Sequence, residues 1–123
     1  MYEFATYNLF EEYLTVLNNA VDARRAVGGF DGFTAATLRM LEGRRIGVAV
    51  YEQNPSDPLD YFTVRVVDHS FRVVSHGLAG AQATLRLSRD YLADVVEHPE
   101  RYADGRIYRE WDHAAGKASA SVH

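Results

Sequence analysis

The chain has 123 residues, of which 47% are hydrophobic, and this length predicts one globular domain with a single core. Its formal net charge of -4 argues against a general nucleic-acid binder, which needs a basic surface to displace counterions. The sequence contains no cysteine, which excludes disulfides, thiolate zinc sites and a cysteine nucleophile.

The N-terminal segment is acidic at Glu3, Glu11 and Glu12 and has no early basic residue, which is not the pattern of a secretory signal peptide. No apolar run approaches the ~20 residues that a helix needs to cross a bilayer. We therefore expect a cytoplasmic protein that is not an integral membrane protein.

The first predicted element is a helix from about Leu9 to Val27. Asn8 is its expected N-cap, and Glu11, three residues later, would complete a capping box. The helix carries one apolar stripe, because its hydrophobic residues recur at three- and four-residue steps. These residues are Phe10, Tyr13, Leu14, Leu17, Ala20 and Val21.

A second, shorter helix is predicted from Thr34 to Leu41, with Phe33, Leu38 and Leu41 facing inward. Gly43 follows as its stop signal. An extended conformation of Ala35–Met40 is the alternative for this segment.

Four strands are predicted next. Alternating apolar residues define a strand over Arg45–Glu52, and the following loop, residues 53–60, holds two prolines. Tyr61–Asp68 and Phe71–His76 alternate on either side of a tight turn and predict a hairpin. Residues 82–88 form the fourth predicted strand.

At Ser88 the apolar period changes from two to that of a helix. Ser88 is a good N-cap, and the helix must end near His98 because Pro99 disfavours the helical conformation in the residue before it. Pro99 itself can begin a further turn.

The remaining sequence predicts a short fifth strand over Arg106–Trp111 and a flexible tail over residues 113–123, after a single domain of residues 1–112. The predicted fold class is α+β. An antiparallel sheet of about five strands, in the chain order α-α-β-β-β-β-α-β, is covered by helices on one face.

Three segments carry a resemblance to a known family: LEGRRIGVAVYE (41–52), FTVRVVDHSFRVVSHG (62–77) and AQATLRLSRDYLADVV (81–96). In type and spacing they resemble the sterol-carrier-protein-like family of lipid-binding α+β domains. The resemblance implies binding of a lipid. The C-terminal residues are small and polar and do not match the helix that closes the family's ligand tunnel, so an open groove, or one completed by a second subunit, is expected.

Six aromatic residues are the candidate ligand-binding set, because they could all reach the space between helices and sheet. Ordinary core packing and a ligand cavity walled by rings are both consistent with such a set. The function predicted from the resemblance is non-catalytic binding of an apolar or amphipathic small molecule, such as a fatty acyl chain, in a groove between helices and sheet. The six residues are Phe10, Tyr13, Phe33, Phe62, Phe71 and Tyr91.

No metal, cofactor or catalytic residue is predicted. His69 and His76 flank one hairpin strand beside Asp68, but their spacing matches no metal-ligand pattern, and they are interpreted as surface or turn histidines. His98 is interpreted as a residue at a helix C-terminus.

Two other functions remain open. An enzyme on the cone-shaped fold of ketosteroid isomerase and scytalone dehydratase would need a buried Asp or His facing inward, and the inward strand positions are expected to be only Ile, Val, Phe and Leu. The other function is that of an interaction subunit whose apolar face forms a homodimer.

Overall fold

The computed structural model describes residues 2–26, 39–68, 70–77, 83–102, 107 and 111. The predicted α+β class is confirmed, and the described order of a helix, four strands and a helix agrees with the prediction. The elements are helix α1 (Tyr2–Ala26), strands β1 (Arg45–Tyr51), β2 (Asp60–Val67), β3 (Ser70–His76) and β4 (Ala83–Ser88), helix α2 (Arg89–Glu97) and a 3-10 turn (Pro99–Arg101).

The four described strands form a mixed sheet in the order β3-β2-β1-β4. β1 pairs antiparallel with β2, and β2 pairs antiparallel with β3, as the predicted hairpin requires. β4 instead pairs parallel with β1, with Leu85 opposite Val48. The prediction of a wholly antiparallel sheet is therefore wrong, because the chain crosses over from the β3 edge to the opposite edge before it forms β4.

The helices cover one face of this sheet, as predicted. The inward positions of the central strands, such as Val48, Phe62 and Val64, are fully buried in one cluster with the apolar stripe of α1 and with Leu92 and Val95 of α2. Burying each such aliphatic side chain contributes ~1.5–3 kcal/mol, so this layer supplies most of the stability of the domain.

Helix α1 begins at Tyr2, seven residues before the predicted start. Asn8 lies inside the helix, so the predicted N-cap and capping box with Glu11 are wrong. The residues before Asn8 have tertiary contacts, since Thr6 is buried and the Tyr7 ring lies 6.0 Å from the Phe62 ring. These contacts favour a helix that continues past the local cap signal.

The segment before β1 ends as a helix at Arg39–Leu41, so the extended alternative is wrong at Arg39 and Met40. The rest of the second predicted helix lies outside the described residues. Gly43 has φ 77°, which suits a residue without a Cβ, and its N–H donates to the Val66 carbonyl at 2.7 Å. This bond attaches the segment to the end of β2.

The prediction for α2 is confirmed. The Ser88 hydroxyl accepts a hydrogen bond from the Tyr91 N–H at 3.0 Å, and His98 is the C-cap before Pro99. At the two described positions of the predicted fifth strand, Ile107 and Trp111, the backbone is helical, so a strand there is wrong at both. The predicted tail lies outside the described residues.

Candidate functional site

Four rings of the predicted aromatic set form one connected cluster in the seam between the helices and the sheet, because Phe10 and Tyr13 stack with ring centroids 5.9 Å apart. Phe10 stacks on Phe62 with ring centroids 4.9 Å apart, and Tyr13 meets Tyr91 at 6.1 Å. Phe71 lies apart from these rings. The last residue of the set, Phe33, is outside the described residues.

Four rings of the set are at most 2% exposed: Phe10, Tyr13, Phe62 and Phe71. They pack in the core, and of the five described residues of the set only Phe71 lines one of the two grooves described below. Their assignment to a ligand stays a prediction, while their packing role is visible in the ring contacts.

Trp111, which was predicted to lie in a strand, is a residue of the core. It is 1% exposed, its ring meets Phe71 at 4.9 Å, and its indole N–H donates to the Tyr13 hydroxyl at 2.8 Å. A buried indole needs such an acceptor. Trp111 therefore ties the C-terminal part of the domain to α1.

An apolar groove of about 320 Å³ lies between α1 and the segment that follows α2. One wall is formed by α1, where the small side chains of Ala20 and Ala23 leave space. Larger side chains, such as those of Tyr102 and Ile107, form the opposite wall. The lining is mostly apolar, with Asn19 and Glu100 as its main polar members. The lining residues are Val16, Asn19, Ala20, Ala23, Pro99, Glu100, Tyr102 and Ile107.

Tyr102, on one wall of this apolar groove, is held by α2. Its hydroxyl donates to a carboxylate oxygen of Asp94, and its ring packs edge-on against Tyr91 at 5.7 Å. Arg101 places its guanidinium 3.6 Å from the same carboxylate. These contacts fix the position of Tyr102 on this wall.

A second groove, of about 330 Å³, lies between α1 and the outer edge of β3, and its lining is mainly polar. Asn18 crosses it: its amide donates to the Phe71 carbonyl at 3.1 Å and its oxygen accepts from the Phe71 N–H at 2.8 Å. The other lining residues are Tyr7, Glu11, Leu14, Thr15, Arg72 and Val73.

Close to the Tyr7 end of this polar groove, a histidine and a carboxylate lie on the inward face of the sheet. Nε2 of His76 is 2.5 Å from Oδ1 of Asp60, and the His76 ring stacks on Phe62 with centroids 5.2 Å apart. The Asp60 side chain is 11% exposed and that of His76 is 49% exposed. The pair therefore joins a nearly buried carboxylate to a half-exposed imidazole.

These two positions correct the expectation that only apolar residues face inward. Asp60 was missed because the predicted strand began one residue later, at Tyr61. Continuing the alternation of Phe62 and Val64 back by two residues would have placed Asp60 on the inward face. His76 is exposed, in agreement with its interpretation as a surface histidine, and a shift in register between Thr63 and Val64 pairs it with Phe62.

The described residues do not bring together three His, Asp or Glu side chains that could hold a metal ion. His98 caps α2, with Nδ1 3.7 Å from a Glu100 oxygen, and His69 lies outside the described residues. In the described part of the chain, no helix has both the length and the apolar character to span a membrane.

Comparisons with known proteins found no matching family model, no similar curated protein and no similar solved structure.

Proposed function

We propose that this protein binds a small apolar or amphipathic molecule, of the fatty-acyl type, in the apolar groove, without catalysing a reaction on it. The groove itself carries the proposal, because an apolar concave surface with a few polar groups is the usual form of a small-molecule site. The resemblance of residues 41–52, 62–77 and 81–96 to sterol-carrier-like domains supports the same ligand class.

The size of the groove limits the ligand. At about 320 Å³ it is at the lower end of the ~300–1,000 Å³ found for ligand pockets. It is about twice the ~150 Å³ of a cavity that accepts benzene, so a chain of about ten carbons fits better than a complete sterol. The polar atoms of Asn19 and Glu100 could then meet a polar head group.

The expected affinity is modest. An open groove that buries about seven methylene groups would gain about 6 kcal/mol, at ~0.8 kcal/mol per methylene. The cost of ordering the ligand reduces this gain. A dissociation constant of about 0.1 mM or weaker is therefore expected for a single chain in one protomer.

The test is a titration with a dansyl-labelled eleven-carbon fatty acid, followed by displacement with decanoate. Ala23→Phe fills the groove from an exposed position of α1, and Thr15→Phe adds the same ring on the side of α1 that faces the polar groove. We expect saturable binding to the wild type and to Thr15→Phe, and at least about tenfold weaker binding to Ala23→Phe.

Equal affinity of Ala23→Phe and the wild type would refute the groove as the site, and no saturable binding up to millimolar probe would refute the function. Light scattering at two protein concentrations accompanies the titration. A dimer whose formation is lost in Ala23→Phe, with no probe binding in the wild type, would assign the same surface to a homodimer interface instead.

A further inference from the structure

Three arginines form a row across the outer face of the sheet, opposite to the face that α1 and α2 cover. Arg45 of β1 lies directly opposite Arg65 of β2, and Arg65 lies directly opposite Arg72 of β3. Val64 and Val66, the neighbours of Arg65 in β2, are buried in the core, so Arg65 and its two partners point away from the core. All three are exposed, and we call them the arginine row.

The positive charges of the arginine row are not neutralised by the described residues. Like charges directly opposite each other on neighbouring strands destabilise a sheet, and Arg65 has such a neighbour on both sides. In the described part of the chain, no ion pair or hydrogen bond joins a guanidinium of the row to another group. Glu42 and Asp68, at the same end of the sheet, contact each other instead, since Glu42 accepts the Asp68 N–H at 2.7 Å.

The outer face carries only basic residues at its charged strand positions. Besides the arginine row, the outward charged position of the four described strands is Arg86 of β4, which lies opposite Ala49. The only carboxylate within these strands, Asp60, faces inward. The whole chain, by contrast, has 17 acidic and 13 basic residues. Next to the row, Gly47 and Thr63 are buried, so a ligand at this end of the sheet meets the arginine row and not the middle of the sheet.

From this arrangement we propose that the arginine row is a binding site for a small anion with several linked phosphate groups, such as an inorganic oligophosphate or the phosphate chain of a nucleotide. The bound anion lies along Arg45, Arg65 and Arg72 and neutralises their unpaired charges. The helix that lines the apolar groove, α1, covers the opposite face of the sheet. The proposal therefore does not depend on the ligand proposed for that groove.

The chemistry of the row favours linked phosphates over other anions. A guanidinium pairs with a phosphate through two parallel hydrogen bonds, and each phosphate group has several acceptor oxygens. Neighbouring strands are ~4.7–4.9 Å apart, so an anion that pairs with each guanidinium above its own strand extends over about 10 Å. A long polyanion such as a nucleic acid is disfavoured, because it would also meet the rest of a chain with a net charge of -4.

The test is isothermal titration calorimetry of the full chain with tripolyphosphate, at an ionic strength of about 0.05 M, where charge interactions are weakly screened. Arg65→Gln removes the central charge of the row. Arg86→Gln is the matched control, because it removes an exposed arginine of the same face that has no arginine opposite it in β1. We expect saturable binding to the wild type, at least about tenfold weaker binding to Arg65→Gln, and less than about a twofold change in Arg86→Gln.

Two other anions test the chemical class of the ligand. ATP without a divalent cation is expected to bind through its phosphate chain and to lose affinity in Arg65→Gln as tripolyphosphate does. Citrate, whose charges are on carboxylates, is expected to bind more weakly than tripolyphosphate. Equal affinities of the wild type and Arg65→Gln for tripolyphosphate would overturn the proposal. Citrate binding as tightly as tripolyphosphate, or tighter binding of a single-stranded oligonucleotide, would overturn it as well.

Urea unfolding distinguishes a binding role of the row from a structural one. Without an anion and at low salt, Arg65→Gln should unfold at the same or a higher urea concentration than the wild type, because the substitution relieves two like-charge pairs. Tripolyphosphate should raise the wild-type midpoint more than that of Arg65→Gln. A lower anion-free midpoint for Arg65→Gln would contradict the repulsion on which the proposal depends. A wild-type midpoint that tripolyphosphate does not raise would refute the site itself.

Discussion

We expect the hydrogen bonds of Asn18 to be the main polar contact between α1 and the edge strand β3. Its two hydrogen bonds to Phe71, at 2.8 and 3.1 Å, satisfy an N–H and a carbonyl of β3 that no further strand pairs in the described sheet. Each such bond contributes about 0.5–1.5 kcal/mol, or about 1–3 kcal/mol together. Asn18→Ala also gains up to about 0.7 kcal/mol of helix propensity, so the expected net loss is about 1–2 kcal/mol.

Urea unfolding followed by circular dichroism measures this loss. In a domain of 123 residues a loss of this size lowers Tm by about 4–8 °C. Asn19→Ala is the matched control, because it makes the same helix-propensity gain at an exposed neighbouring position. If Asn18→Ala and Asn19→Ala unfold at the same urea concentration, the bonds to β3 add nothing, and apolar contacts alone hold α1.

Three further changes are checked by the same urea assay. Ser88→Ala removes the N-cap of α2 and should cost about 1 kcal/mol, whereas Ser88→Gly should cost only a few tenths. Leu92→Ala, at a fully buried site, should cost about 2–5 kcal/mol, and Leu59→Ala, 43% exposed, should stay within about 0.5 kcal/mol. Thr63→Val removes the buried hydroxyl that donates to the Gly77 carbonyl, and it should lower the free energy of unfolding by about 1 kcal/mol. Thr84→Val is its control and should not show this loss, because the Thr84 side chain is exposed on the same outer face of the sheet. Equal losses within either matched pair, or no difference between the two Ser88 variants, would contradict the structural assignment concerned.

The elements that the sequence predicted well are those with strong local signals. The alternation from Ile46 to Val50 and from Phe62 to Val66 specifies strands with one apolar inward face, and the structure buries these positions. Ala49 and Thr63, on the opposite face, are buried as well, which the alternation did not predict. Ser88 sits where the apolar period changes and has the hydroxyl that an N-cap needs. Such signals act within a few residues, so no tertiary contact is needed to interpret them.

Other features depend on contacts between distant residues. The alternation of Leu85 and Leu87 indicates which face of β4 is buried, but it does not indicate which strand lies next to β4. The parallel pairing of β4 with β1 could therefore not be inferred from the sequence. Ile107 and Trp111 are four residues apart, a spacing that suits a helix face as well as a strand. The start of α1 before Asn8 likewise depends on packing against the sheet.

The candidate sites were the least predictable part. Aromatic residues could be assigned to the seam, but the sequence does not distinguish a ring that fills a core from one that lines a groove. The apolar groove depends on Ala20 and Ala23 lying opposite Tyr102, residues nearly eighty positions away along the chain. Asp60 was detectable in principle, since it continues the inward alternation of β2.

The most direct measurement of the central claim is a map of backbone amide shifts in a ¹⁵N-labelled sample titrated with decanoate. Saturable shifts centred on Val16, Ala20 and Tyr102 are predicted, with smaller changes at Thr15 and Arg72 across α1. Shifts centred on the polar groove, or none at millimolar decanoate, would contradict the assignment of the apolar groove as the ligand site.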